Sequence, residues 1–164
     1  MEYHPEMIGD KNNVRYALVQ KGKEKTLYVI GLNPSTADDT RKDPTMTRVL
    51  RFAEDNGFDG YVMLNLYPQR STSPDNMDKK VNEDFYQKNL LYIEDFLSKE
   101  DTPVVLLCYG TKIHTRDYLH DSLAKIKEIG KKYNVQWKCI GITKGGDPKH
   151  PSRAGYGVFI DYDL

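Results

Sequence analysis

The sequence predicts an α/β fold, with helices on both faces of a mainly parallel central sheet in a three-layer α/β/α arrangement. Strand-like and helix-like segments alternate along the chain, and several strand-like segments are almost continuously apolar, as buried parallel strands are. The 164 residues, 38% of them hydrophobic and 29% charged, suit one globular core. No repeat or linker divides the chain, so we expect a single domain over residues 1–164.

The N-terminal half predicts strands at residues 15–19, 26–32 and 61–66. The first two are separated by Lys21-Gly22-Lys23-Glu24, a composition typical of a hairpin turn. Between the second and third strands, Asp43-Pro44 suits an N-cap and the first position of a helix. Gly57 suits the end of that helix.

The C-terminal half continues the alternation of helices and strands. Its predicted elements are a helix over 85–97, a strand over 104–108, a helix over 118–132 and strands over 137–142 and 158–162. Ligands of parallel α/β sheets bind outside the carboxyl ends of the strands. We therefore expect the functional loops to follow Leu32, Leu66, Cys108 and Ile142.

The first of these loops contains Gly31, Asn33, Pro34 and Ser35. Glycine allows a ligand to approach the backbone, the asparagine amide both donates and accepts, and proline holds that amide rigidly. This combination suits the orientation of a water molecule or of a polar ring edge. The alternative is a tight turn at Asn33-Pro34, after which Ser35 or Thr36 caps a short helix.

An asparagine, Asn65, interrupts the apolar strand that ends at Leu66. A buried amide without a hydrogen bond costs about 1–3 kcal/mol, so this side chain needs a partner. It either contacts the edge of a bound ring or makes a cross-strand or loop-bracing hydrogen bond.

The loop after Ile142 combines cations, glycines and a histidine held beside a proline. Its candidate site residues are Lys149, His150, Ser152 and Arg153, and Lys144 is a further cation nearby. Cationic side chains with freed backbone N–H groups suit an anionic oxygen or a phosphate, and His150 would stabilise developing charge.

Composition excludes several functions. Lysine plus arginine number 24 and aspartate plus glutamate also number 24, so no global positive field favours non-specific nucleic-acid binding. Cys108 and Cys139 lie in apolar runs and are expected to be buried reduced thiols. We expect no metal and no cofactor. Without a membrane-spanning run or a signal-like N-terminus, a cytoplasmic location is expected.

The chain resembles the domain-of-unknown-function 1643 family, DUF1643, over nearly its whole length. The motifs that carry the resemblance are Leu-Asn-Pro-Ser-Thr-Ala-Asp at 32–38, Asp-Pro-Thr at 43–45, Asn-Leu at 65–66 and His-Pro at 150–151. This resemblance implies no established activity.

The chain also shows a distant resemblance to the uracil-DNA glycosylase superfamily. Gly31-Leu32-Asn33-Pro34 and His150-Pro151-Ser152 are similar in order and spacing to two loops of that superfamily, and residues 68–74 are similar to a third. The resemblance implies that Asn33 positions a water, Asn65 contacts the base and His150 stabilises the leaving base oxygen. Arg153 would lie near the position at which members of that superfamily carry the residue that wedges into the duplex.

Three functional interpretations follow. The first is a base glycosylase acting on nucleic acid, which predicts a basic strip formed by Lys144, Lys149, Arg153, Arg70 and Arg41. The second is an enzyme or sensor for a nucleotide, nucleoside or related phosphate. The neutral net charge favours it, as does Ser35, where the glycosylase superfamily commonly has a glycine after the proline. The third is a non-catalytic interaction module on the same scaffold. The oligomeric state is not predicted.

Overall fold

A computed structural model describes residues 1–164 as a mixed α/β fold with a seven-stranded sheet and three α-helices. The strands are β1 (Glu6–Gly9), β2 (Arg15–Gln20), β3 (Thr26–Gly31), β4 (Gly60–Asn65), β5 (Val104–Leu107), β6 (Gln136–Cys139) and β7 (Ile160–Asp161). The helices are α1 (Pro44–Asp55), α2 (Glu83–Ser98) and α3 (Asp117–Lys132). Short 3₁₀ turns lie at Pro74–Asn76, Thr111–Thr115 and Pro151–Arg153.

The sheet is mixed, so the expectation of a mainly parallel sheet is wrong. Its strand order is β1-β2-β4-β3-β5-β6-β7. The central strands β4, β3, β5 and β6 are parallel. The pairs β1–β2, β2–β4 and β6–β7 are antiparallel, and these strands extend the parallel centre of the sheet at both edges.

The hairpin predicted between residues 15–19 and 26–32 is also wrong. β4 lies between β2 and β3 and pairs with both of them. The turn's backbone N–H groups are satisfied by Asp59, just before β4, whose carboxylate accepts from Lys23, Glu24 and Lys25 at 2.9, 3.0 and 2.7 Å. The turn therefore connects to the start of β4 and does not close a two-stranded ribbon.

The core lies on both faces of the sheet. Tyr28 and Ile30 of β3 belong to a buried cluster that includes Ile93 of α2 and Ile126 of α3. The alternate β3 residues, Leu27 and Val29, belong to a second cluster with Val49 and Ala53 of α1. Alternation along the strand thus sends successive side chains to opposite faces.

The three predicted helices are present. Asp43 caps α1 by accepting from the Met46 N–H at 2.9 Å, and Pro44 is its first residue, as predicted. The predicted strands over 137–142 and 158–162 are shorter, and β1 was not predicted, since its four residues carry little alternation. None of the helices combines the length and apolarity that crossing a membrane requires.

A β-bulge in β2 determines where Arg15 points. Ile8 of β1 pairs with Ala17 and Gly9 pairs with Arg15, which leaves Tyr16 as the extra residue. Tyr16 packs against Tyr92 of α2, with ring centroids 5.1 Å apart. Arg15 is thereby turned to the opposite face, where its Nη1 donates to the Ala37 carbonyl at 3.1 Å. Bulges commonly re-aim side chains in this way.

Candidate functional site

A cavity of about 350 Å³ lies where the loops after β3, β4 and β5 meet the turn at 150–153. Seven of the nine residues predicted for the site line it, namely Gly31, Asn33, Ser35, Asn65, His150, Ser152 and Arg153. Pro34 and Lys149 do not line it. Pro34 is buried and its carbonyl accepts hydrogen bonds, while the Lys149 side chain lies over Gly141.

Asn33 braces two loops against each other. Its Nδ2 lies 3.1, 3.2 and 3.1 Å from the carbonyl oxygens of Pro34, Gln69 and Ser71. The Ser71 N–H also donates to the Pro34 carbonyl at 2.9 Å. Since an amide nitrogen only donates, this arrangement fixes which end of the Asn33 side chain is Nδ2. Oδ1 is the end left to accept a hydrogen bond.

Asn65 is 1% exposed, and its Nδ2 has no hydrogen-bond partner. The side chain fits because Gly31 lies beside it, since a Cβ on Gly31 would stand 2.9 Å from Asn65 Oδ1. Asn89 of α2 donates to the Asn65 carbonyl at 2.9 Å, which fixes the backbone at the end of β4. The result is an amide on a fixed stretch of backbone that lines the cavity, with a donor that has no partner in the protein.

His150 is held as one neutral tautomer. Its Nδ1 accepts from the Ser152 backbone N–H at 3.2 Å and lies 2.8 Å from Ser152 Oγ. A backbone N–H only donates, so Nδ1 carries no proton and the ring proton is on Nε2. Burial lowers the pKa of His150, nearby Asp43 opposes this and Arg153 adds to it. The neutral ring therefore offers Nε2–H as a donor.

Arg48 of α1 holds the turn that carries His150. Its Nε donates to the Pro151 carbonyl at 2.6 Å, and its Nη2 donates to the Ala154 carbonyl. Gly110 supports the turn from the other side, since a Cβ there would stand 3.0 Å from His150 Cβ. The sequence alone gave no signal for Arg48, because its partners are more than 100 residues away.

A family model described as a protein of unknown function (DUF1643) matches residues 15–152. The chain belongs to the DUF1643 family. The matched segment runs from the first residue of β2 to Ser152 and includes both loops that carry Asn33 and His150. Neither the curated proteins nor the solved structures give a match to this DUF1643 chain.

The cations of the predicted basic strip do not all serve as surface charges. Of the five, only Arg153 lines the cavity. Arg70 is a brace: its Nη1 donates to the Ser35 and Ala37 carbonyls at 2.8 and 3.3 Å, and its Nε donates to the Asp10 backbone carbonyl at 3.1 Å. Arg70 therefore shapes the first loop of this DUF1643 protein.

Other residues that line the cavity were missed or given another role. They include Arg15, Asp43, Ser71, Thr72, Thr111 and Lys112. Asp43 was predicted as a helix cap, and both of its oxygens do accept backbone N–H bonds, from Met46 at 2.9 Å and Ala37 at 3.2 Å. Arg15 opens an apolar strand, and only the bulge in β2 directs it here.

Neither nucleophilic cysteine chemistry nor metal binding finds support in the geometry. Cys108 lines the cavity, but burial raises the pKa of its thiol to about 12, so it stays protonated and is a poor nucleophile. No group of three or more histidine, cysteine, aspartate or glutamate side chains is arranged to hold a metal ion. The Asp38 carboxylate accepts from the backbone N–H groups of Thr40 and Arg41 and so closes its own loop.

Proposed function

We propose that this protein hydrolyses the N-glycosidic bond of a nucleotide-like substrate whose base enters the cavity between Asn33, Asn65 and His150. One observation carries the proposal: these three side chains line a single cavity, each with a polar group left for a ligand. They come from three separate segments, namely two loops and the end of β4, and bracing contacts fix two of the side chains and the backbone that carries the third.

The proposed reaction adds water across the bond between sugar and base. The water oxygen bonds to the anomeric carbon, the electron pair of the broken C–N bond goes to the base, and the water's proton ends on the released base. Asn33 Oδ1 accepts a hydrogen bond from the water and so orients it. Such positioning lowers the entropy cost of the attack.

His150 stabilises the charge that develops on the leaving base. Its Nε2–H donates to a carbonyl oxygen of the base, which becomes negative as the C–N bond breaks. A neutral donor fixed in a half-buried site is effective because it needs little reorganisation during the reaction. The hydrogen bonds from Ser152 to Nδ1 support this role, since they keep the proton on Nε2.

Asn65 provides base recognition in this proposal. Its amide can donate and accept along the edge of a base, and its unpaired Nδ2 makes a ligand without an acceptor there costly.

We also propose that the fold is a three-layer α/β/α arrangement like that of the uracil-DNA glycosylases. The core on both faces of the sheet and the order of the two loops support it.

The second candidate is a protein that binds a free nucleotide or nucleoside without cleaving it. The charge distribution favours a small ligand over a duplex, because Arg153 alone of the predicted strip lines the cavity and the net charge is zero.

The buried, free thiols Cys108 and Cys139 support a reducing compartment, so we propose that the protein acts in the cytoplasm.

The test is release of free base by the purified protein. Substrates are single- and double-stranded oligonucleotides with uracil, hypoxanthine or mismatched thymine, together with the corresponding free nucleotides. Asn33→Ala and His150→Ala are the test variants. His114→Ala is the matched control, since that histidine is exposed and does not line the cavity.

The outcomes separate the candidates. Base release that both test variants abolish, and that His114→Ala retains, is the expected result. Saturable binding of a nucleotide without base release would overturn hydrolysis and leave the second candidate. Loss of stability in both variants, with neither release nor binding by the wild type, would indicate an interaction module.

A further inference from the structure

We infer that Arg15 forms an anion-binding subsite in the cavity, so that the ligand carries phosphate or carboxylate oxygens close to the base. That the ligand contains a base rests on the proposed function, whereas the anion subsite is argued from Arg15 alone. The side chain lines the cavity although the residue is only 2% exposed.

The Arg15 guanidinium lacks the partners that a buried charge requires. Its Nη1 donates to the Ala37 carbonyl at 3.1 Å, while Nε is buried without a partner. None of the ion pairs in the structure includes Arg15. Buried arginines are normally paired, because an uncompensated charge in the interior is costly.

Asp43 does not supply the missing partner. It stabilises the Arg15 charge at longer range, but both of its carboxylate oxygens accept backbone N–H bonds at the start of α1. A second guanidinium adds positive charge, since Arg70 also donates to the Ala37 carbonyl, at 3.3 Å. An anionic ligand would relieve this local excess of positive charge.

The fold directs Arg15 to this position by means of a bulge that constrains the backbone of the neighbouring strand at Gly9. The bulge at Tyr16 turns Arg15 away from the face of α2. It requires Gly9 with φ +143°, where a Cβ would stand 2.4 Å from the Val14 carbonyl oxygen. A guanidinium offers phosphate and carboxylate oxygens charged N–H donors, which make stronger hydrogen bonds than neutral ones.

The experiment compares ligands that differ only in the anion. Calorimetry measures binding of a nucleoside 5′-monophosphate, the matching nucleoside, inorganic phosphate and acetate to the full chain. We expect the monophosphate to bind roughly tenfold to a hundredfold more tightly than the nucleoside, the effect of a charge-assisted hydrogen bond. Phosphate and acetate, as competitors, show which anion the subsite prefers.

Variants assign this discrimination to Arg15. Arg15→Met removes the charge at similar length and is expected to equalise the two affinities, whereas Arg15→Lys is expected to retain part of the difference. Arg51→Met is the control, since Arg51 lies on α1 outside the cavity with 59% of its side chain exposed. If Arg15→Met does not fold, the wild-type comparison and Arg15→Lys still decide.

Equal affinity of the wild type for nucleoside and monophosphate would overturn the inference. Discrimination that survives in Arg15→Met would also overturn it. Base release is measured separately: preference for the monophosphate without base release leaves Arg15 as the anion subsite and removes hydrolysis. Base release without a preference for the monophosphate supports hydrolysis and removes the anion subsite.

Discussion

Arg48 Nε donates a hydrogen bond to the carbonyl oxygen of Pro151 at 2.6 Å, and 103 residues separate the two. The same guanidinium reaches the Ala154 carbonyl and lies 3.2 Å from the Tyr156 hydroxyl. Helix α1 therefore fixes the turn after His150. A residue outside every motif in the chain sets the position of the proposed oxyanion donor.

Arg48→Met is expected to lower the free energy of unfolding by about 1–3 kcal/mol, because it leaves two carbonyls of the turn without their charged donor. It should also weaken binding in the cavity by freeing His150. Urea denaturation and calorimetry measure the two effects. Arg51→Met is the control, and equal stability of the two variants would contradict the role given to Arg48.

Asn33→Ala is expected to be less stable than the wild type by about 1–3 kcal/mol, because three carbonyls lose the Nδ2 donor that joins the two loops. Asn33→Asp keeps the acceptor but places a negative charge against those carbonyls, so it should be less stable still. Thermal and urea denaturation give the order. Asn76→Ala, at an exposed position, is the control, and an Asn33→Ala variant as stable as it would refute the brace.

Much of the site could be predicted because its residues follow strands that the apolar pattern already predicts. Asn33 and Asn65 come at the ends of β3 and β4, which lie side by side with Gly31 paired to Asn65. His150 was predicted from its proline neighbour and nearby cations. These signals are local in the sequence, so neither partner strand nor sheet order was needed to find them.

The rest depends on pairing over long distances, which a single sequence does not encode locally. The insertion of β4 between β2 and β3 turns a predicted hairpin into two non-adjacent strands. The orientation of Arg15 depends on a bulge defined only by pairing with β1. The bracing role of Asn33 requires the loop after β4, whose carbonyls of Gln69 and Ser71 come to it only in the fold.

Gly31→Ala is expected to disturb the cavity more than its small volume suggests. A Cβ there would stand 2.9 Å from both Asn65 Oδ1 and Met63 Cε, so the Asn65 amide must move. We expect a loss of about 1–3 kcal/mol in the free energy of unfolding together with weaker ligand binding. Gly145→Ala is the control, because its nearest neighbour would be at 4.0 Å. A Gly31→Ala variant that binds normally would show that Asn65 does not contact the ligand.

The lowered pKa of His150 predicts how stability changes with acidity. The unfolded chain takes up a proton near the ordinary histidine value of about 6.5, whereas the folded protein resists protonation because the ring is buried and Nδ1 already accepts from Ser152. The unfolded state therefore binds more protons just below that pH, so the free energy of unfolding falls as the solution is acidified and recovers above it.

His150→Gln removes this contribution, because glutamine does not titrate. The stability of the wild type relative to the variant is expected to fall between pH 8 and pH 5, as measured by urea denaturation at each pH. Because the folded protein resists protonation of His150, ligand binding that needs the neutral ring with its Nε2–H donor should persist below pH 6.5. An NMR titration of His150 gives the direct check, and a pKa above the ordinary value would contradict both the neutral tautomer and its proposed role.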